Sequence, residues 1–144
     1  MTGDPQTLTK RVLICDDEPE IRDLYRFAFE TEGFSVAVAV DGLDGIEKAR
    51  EVQPNLVVLD LAMPRCDGMA ALPRILAVAP HACVIIVTAY SAIEAFSAGR
   101  RLGARACFQK ERFIPQIPSL LDRFCQEHQT AGLTGPASPR SRSL

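Results

Sequence analysis

The sequence predicts an α/β domain: a five-stranded, doubly wound parallel sheet of order 2-1-3-4-5, held between two layers of helices. Three observations lead there. Short β-branched runs alternate with stretches of helical periodicity, giving βαβαβαβαβα along the chain. The third and fourth runs, NLVVL and ACVIIV, carry almost no polar residue, as strands covered on both faces require. With 144 residues, 47% of them hydrophobic and 24% charged, the chain has enough apolar material for one sizeable core.

The elements follow in order. RVLIC (11–15) is the first strand. In EPEIRDLYRFAFETEGF, Ile21, Leu24, Tyr25, Ala28 and Phe29 recur at helical spacing. Pro19 suits the first turn of that helix, and Gly33 the position just past its end. SVAVAV (35–40) is the second strand. DGLDGIEKAREVQP is the second helix, with Leu43, Ile46 and Ala49 apolar and Pro54 as its stop. NLVVL is the third strand. GMAALPRILAVAP is the third helix, interrupted by Pro73, which costs it hydrogen bonds or a kink. ACVIIV (82–87) is the fourth strand, and SAIEAFSAGRRLG the fourth helix, closed by Gly103. ARACFQ is a weak fifth strand, and IPSLLDRFCQEHQ the fifth helix.

Residues 1–10 read as an N-terminal extension, 11–129 as the folded unit, and the Gly-, Pro- and Ser-rich 130–144 as a disordered tail or linker, with Arg140 and Arg142 solvated. A net charge of -2 with no dominant sign argues against a basic nucleic-acid-binding face. No apolar run reaches the ~20 residues of a membrane span. MTGDPQTLTK lacks the apolar stretch of a signal peptide, so a cytoplasmic protein is expected. Cys15, Cys66, Cys83, Cys107 and Cys125 are odd in number, widely spaced and free of any CxxC pair, and are expected to be reduced. His81 and His128 are expected at the surface, with no nearby cysteine to share a zinc ion.

The residues at the strand ends carry the chemistry. The first strand runs into Asp16, Asp17 and Glu18, the third ends in Asp60, the fourth runs into Thr88 and the fifth into Lys110. In the order 2-1-3-4-5 the first and third strands are neighbours, and ligands bind beyond their carboxyl ends. Topology therefore brings Asp16, Asp17 and Asp60 together. Three clustered carboxylates repel one another unless one is protonated or a cation compensates. An all-oxygen site with few protein ligands suits magnesium. Lys110 supplies a point charge and Thr88 a donor, which completes an inventory for phosphoryl transfer to an aspartate.

LICDDEPEIR, VVLDLAMPRCDGM, VIIVTAYSA and GARACFQKERF together resemble the receiver domain of two-component response regulators. The resemblance runs over roughly residues 11–129 and implies a flavodoxin-like three-layer sandwich. It implies Asp60 as phosphoacceptor, Asp17 as a direct magnesium ligand, Asp16 as a ligand directly or through water, and the Ala62 backbone carbonyl as the third protein ligand. Thr88 and Lys110 would contact the phosphoryl group. Met63-Pro64 and Asp67-Gly68 would shape the following turn, with Asp67 as the cap of the third helix. The implied partners are a sensor histidine kinase or histidine phosphotransfer protein upstream, and a downstream protein at the face of helix four, strand five and helix five. No direct contact with nucleic acid or membrane is implied within this chain.

Two positions depart from the family pattern. Glu111 follows Lys110 where the family has a proline behind a cis bond; without proline, cis costs roughly 2.5–4 kcal/mol, so trans is expected. Cys107 stands where the family carries its switch aromatic, and Phe108 next to it should face the other side of the strand. Ala62 and Tyr90 lie two residues after Asp60 and Thr88, where the family positions the hydrolytic water. Alanine cannot orient a water, which implies a slowly lost phosphoryl group and no enzymatic turnover beyond self-directed transfer. The competing reading is a receiver-like interaction module independent of phosphorylation. A haloacid dehalogenase-type phosphohydrolase would carry an aspartate at Ala62, and a flavin carrier would not place the acids of DDEPE at its phosphate loop.

Overall fold

The computed structural model describes residues 10–61, 63, 66–89 and 92–125, excluding the side chains of 92–95 and 125. The sheet is β1 (Lys10–Cys15), β2 (Phe34–Ala39), β3 (Leu56–Asp60), β4 (Cys83–Thr88) and β5 (Ala106–Gln109). All strand pairs are parallel and the order is β2-β1-β3-β4-β5, as expected. The helices are α1 (Pro19–Thr31), α2 (Gly42–Val52), α3 (Gly68–Val78), α4 (Ala92–Arg101) and α5 (Lys110–Phe113). β1 takes in Lys10, expected in the N-terminal extension, because it pairs with Phe34 of β2.

Strand alternation divides the interior into two layers. Leu13, Cys15, Val57, Leu59, Val84 and Ile86 face α2 and α3, where Ile46, Ala49, Leu72 and Ile75 close the layer. Val12, Ile14, Val58, Ile85 and Val87 face α1 and the region after β5, where Tyr25, Phe29, Phe113, Ile117 and Leu120 pack. Cys107 joins the first layer and Phe108 the second, as the alternation required.

The helix ends follow local chemistry. Asp41 and Asp67 cap α2 and α3 by accepting from the amides of Asp44 (2.8 Å) and Ala70 (2.9 Å). Gly33 and Gly103 leave α1 and α4 at φ +91° and +114°, backbone states that favour glycine. Pro73 does not break α3. A proline inside a helix costs about 3 kcal/mol. The fully buried Leu72 and Ile75 beside it contribute about 1.5–3 kcal/mol each, which offsets that cost.

Two findings differ from expectation. Helical backbone begins at Lys110 itself rather than at Ile117. It continues as a 3-10 segment (Ile114–Ser119), in which Pro115 and Pro118 have no N–H for α-helical bonds, and then as a wider π segment (Leu121–Cys125). Cys83 is disulfide-bonded, whereas Cys15, Cys66 and Cys107 are free. No cis peptide occurs among the described residues, so the bond from Lys110 to Glu111 is trans.

Gly68 ties α3 to the end of β3. Its amide donates to the Leu61 carbonyl at 2.9 Å, and a Cβ here would meet the Asp60 carbonyl and lie 2.8 Å from the Leu61 Cα. Both are backbone atoms and cannot swing aside. Gly68→Ala is expected to destabilise the fold by about 1–3 kcal/mol in urea unfolding, as overpacking does. A change below about 0.5 kcal/mol would mean that α3 is not held this closely to the strand.

Candidate functional site

The register of the sheet sets the site. Cys15 pairs with Leu59 and Val87 with Asp60, so the residues after Cys15, Asp60 and Thr88 all emerge along one edge. The Asp16 amide donates to the Ala39 carbonyl (3.1 Å), extending the β1–β2 ladder by one step. The next turn is then pinned twice: the Glu18 amide donates to Asp16 Oδ1 (2.9 Å), and Arg22 Nη1 donates to the Asp16 carbonyl (2.7 Å).

Asp16, Asp17 and Asp60 meet as topology predicted. One carboxylate oxygen from each lies within 4.8 Å of the others. Asp16 and Asp60 are 1% and 3% exposed, while Asp17 is exposed. Thr88 is fully buried at the end of β4. Lys110 reaches back from the start of α5. Its ammonium lies 3.1 Å from Asp16 Oδ2, 3.3 Å from Asp60 Oδ2 and 3.0 Å from Glu18 Oε1. The Ala62 carbonyl and Tyr90 lie outside the described residues.

Electrostatics follows from this packing. Burial pushes the Asp16 carboxyl above the usual carboxylate range; the Glu18 amide and Lys110 offset this only in part. For Lys110, burial favours the neutral amine, but hydrogen bonds to Glu18 and Asp16 and the charge of Asp60 outweigh it and hold the ammonium above the ordinary lysine range. Tyr25 packs edge-on against Phe113 at 5.1 Å, and its buried hydroxyl has no hydrogen-bond partner among the described residues. Burial, then the Asp16 charge, pushes its phenol upward.

The donor set fits a hard divalent cation. Three carboxylates within reach of one point, one of them open to solvent, match the few oxygen ligands and retained waters of magnesium. Sequence reasoning assigned no role to Glu18 or Arg22. Glu18 closes on a lysine 92 residues away, a contact without local pattern, whereas Arg22 lies within the first helical turn and could have been considered from spacing.

Such a fold and edge define a class of phosphate-handling signalling domains, and comparison with known proteins agrees. The response regulator receiver domain family matches residues 12–122. The chain is 31% identical over 117 residues to sporulation initiation phosphotransferase F of Bacillus subtilis (strain 168), covering 81% of this chain and 94% of that protein. It is 38% identical over 85 residues to protein-glutamate methylesterase/protein-glutamine glutaminase 1 of Geobacter sulfurreducens, covering 58% of this chain but only 24% of that longer protein. A CheY-like response regulator receiver domain protein from Methanospirillum hungatei JF-1 superposes with a TM-score of 0.79 at 27% identity, over 86% of this chain and 99% of the other. The chain belongs to the response regulator receiver domain family of two-component systems.

Lys110→Met removes the ammonium that lies beside the two buried carboxylates of Asp16 and Asp60. It is expected to destabilise the metal-free fold by about 3 kcal/mol in urea unfolding at neutral pH. The pH dependence has a definite sign. A lysine whose folded pKa is raised contributes its full stability below its unfolded pKa and loses it above. The gap between wild type and variant should therefore be flat from neutral pH to about 10 and narrow above that. A gap that widens with rising pH would contradict the pairing.

Proposed function

We propose that this chain is a phosphorylation-dependent switch in a two-component phosphorelay, with Asp60 as the phosphoacceptor. The observation that carries this is a buried carboxylate at the end of β3, flanked by two further acids and 3.3 Å from an ammonium. One Asp60 oxygen attacks the phosphorus of a phosphohistidine on a sensor histidine kinase or histidine phosphotransfer protein. The P–O bond forms as the P–N bond breaks, and the imidazole nitrogen keeps the bonding pair. Lys110 offers positive charge to the phosphoryl oxygens, and the Thr88 hydroxyl donates to one of them.

Asp17 is the proposed direct ligand of magnesium, with Asp16 directly or through water, Asp60, and the Ala62 carbonyl. The exposure of Asp17 and the commitment of Asp16 to Lys110 and the Glu18 amide support that ranking. Held there, a magnesium ion would supply further positive charge against the transferring group. Release is self-directed and slow, because Ala62 has no side-chain group to align a water. The proposed receiver unit is 11–129 together with Lys10, which β1 adds to it, with 1–9 as an extension and 130–144 as a tail or linker. The exchange is assigned to the cytoplasm, with output to a downstream protein through α4, β5 and the helical segment from Ile117 onward, the fifth helix of the sequence reading.

Incubation with magnesium and acetyl phosphate should add one phosphoryl mass to wild type and none to Asp60→Asn or to chelator-treated protein. Equal labelling of wild type and Asp60→Asn would overturn the assignment. Calorimetry suits the metal, since the chain has no tryptophan. Asp17→Asn should weaken magnesium binding more than Asp16→Asn does, and the reverse order would count against the ligand ranking.

A further inference from the structure

Lys110 has three ammonium donors, and three carboxylates take them: Glu18 at 3.0 Å, Asp16 at 3.1 Å and Asp60 at 3.3 Å. These acceptors differ in what else they serve. Asp16 and Asp60 belong to the oxygen cluster that suits a divalent cation, while Glu18 does not. Glu18 also stands at the N-cap of α1 yet makes no side-chain cap bond, because its carboxylate is turned to Lys110. The Glu18 backbone N–H donates a hydrogen bond to Asp16 Oδ1, and Arg22, donating to the Asp16 carbonyl, fixes the same turn. Glu18 is thus a rigidly mounted, half-solvated anchor at the mouth of the cluster.

We infer that Glu18 is a positioning residue for phosphoryl transfer, holding the Lys110 ammonium over Asp60 once a bound cation has claimed the oxygens of Asp16 and Asp60. This rests on the proposed metal and phosphoacceptor assignment. Lysine is a point charge on a flexible four-carbon stem, and with Asp16 and Asp60 engaged by the cation and no Glu18 to hold it, it would swing into water. With Glu18 in place, one donor stays anchored and two remain free for a phosphoryl oxygen. Glu18 touches no reacting atom and acts through Lys110 alone.

The test compares wild type with Glu18→Ala, a substitution at an exposed side chain. The first readout is nitrogen-15 NMR of the Lys110 ammonium in magnesium-saturated protein. Wild type should show a slowly exchanging, hydrogen-bonded ammonium, and the variant a fast-exchanging one. The second is the rate of phosphorylation against acetyl phosphate concentration. The maximal rate should fall about tenfold, as loss of one positioning contact does. The half-saturating donor concentration should not rise, because an exposed negative charge has been removed near an anionic donor's path. A protected ammonium in the variant, an unchanged maximal rate, or a rise confined to the half-saturating concentration would each overturn the inference. If wild type itself neither binds magnesium nor takes up a phosphoryl group, it is the underlying site assignment that fails.

Discussion

One ammonium among carboxylates is the contact on which the rest of this molecule turns. The sheet gathers Asp16, Asp17 and Asp60 at one edge, two of them buried, and charges so placed repel unless something positive lies among them. Lys110 supplies that charge from the far end of the chain, bridging Asp16, Asp60 and Glu18. Among the described residues one ammonium faces four acids, and the Arg22 guanidinium is turned to the Asp16 backbone carbonyl, so negative charge is in excess there. That excess gives the edge its appetite for a divalent cation.

The fold is arranged to keep that contact in place. The β1–β3 and β3–β4 registers fix where Asp16 and Asp60 emerge, and Gly68 draws α3 tightly onto the end of β3. Lys110 is held differently from the family pattern. Because Glu111 is not a proline, Lys110 is not pushed out of the α region as a residue before proline would be; helical backbone starts at Lys110, and Phe113 falls within the same turn. Phe113 in turn packs on Tyr25, Phe29 and Phe108. The charge cluster and the aromatic layer beneath α1 are therefore joined by a single turn of helix. Cys107, the position without a ring, faces the opposite layer.

Much of this was legible in the sequence. The continuous apolar runs of β3 and β4 could only be buried strands, and once the strand order was set, Asp16, Asp17 and Asp60 had to converge. Asp67 and Gly103 were readable because caps and left-handed exits depend on one or two residues. What escaped is what depends on distant partners or on competing local rules. The periodicity of IPSLLDRFCQEHQ suggested a helix from Ile117, but Pro115 and Pro118 force the preceding segment into a tighter turn that no hydrophobic pattern announces. Glu18 looked like one more acid in DDEPE, because its partner lies 92 residues away. The disulfide at Cys83 was likewise unreadable from wide and unpatterned cysteine spacing.

The resting pocket holds more negative charge than its lysine can balance. Urea unfolding of wild type and Asp60→Asn in chelator, repeated with saturating magnesium, measures that imbalance. Asparagine keeps the shape of Asp60 and removes one buried charge. In chelator the variant should be at least as stable as wild type, by up to about 1–2 kcal/mol, a fraction of the cost of an uncompensated buried ion. Magnesium should then raise wild type well above its chelator value and the variant much less, since a ligand stabilises only the state that binds it. A variant clearly less stable than wild type in chelator, or equal stabilisation of both proteins by magnesium, would contradict the account.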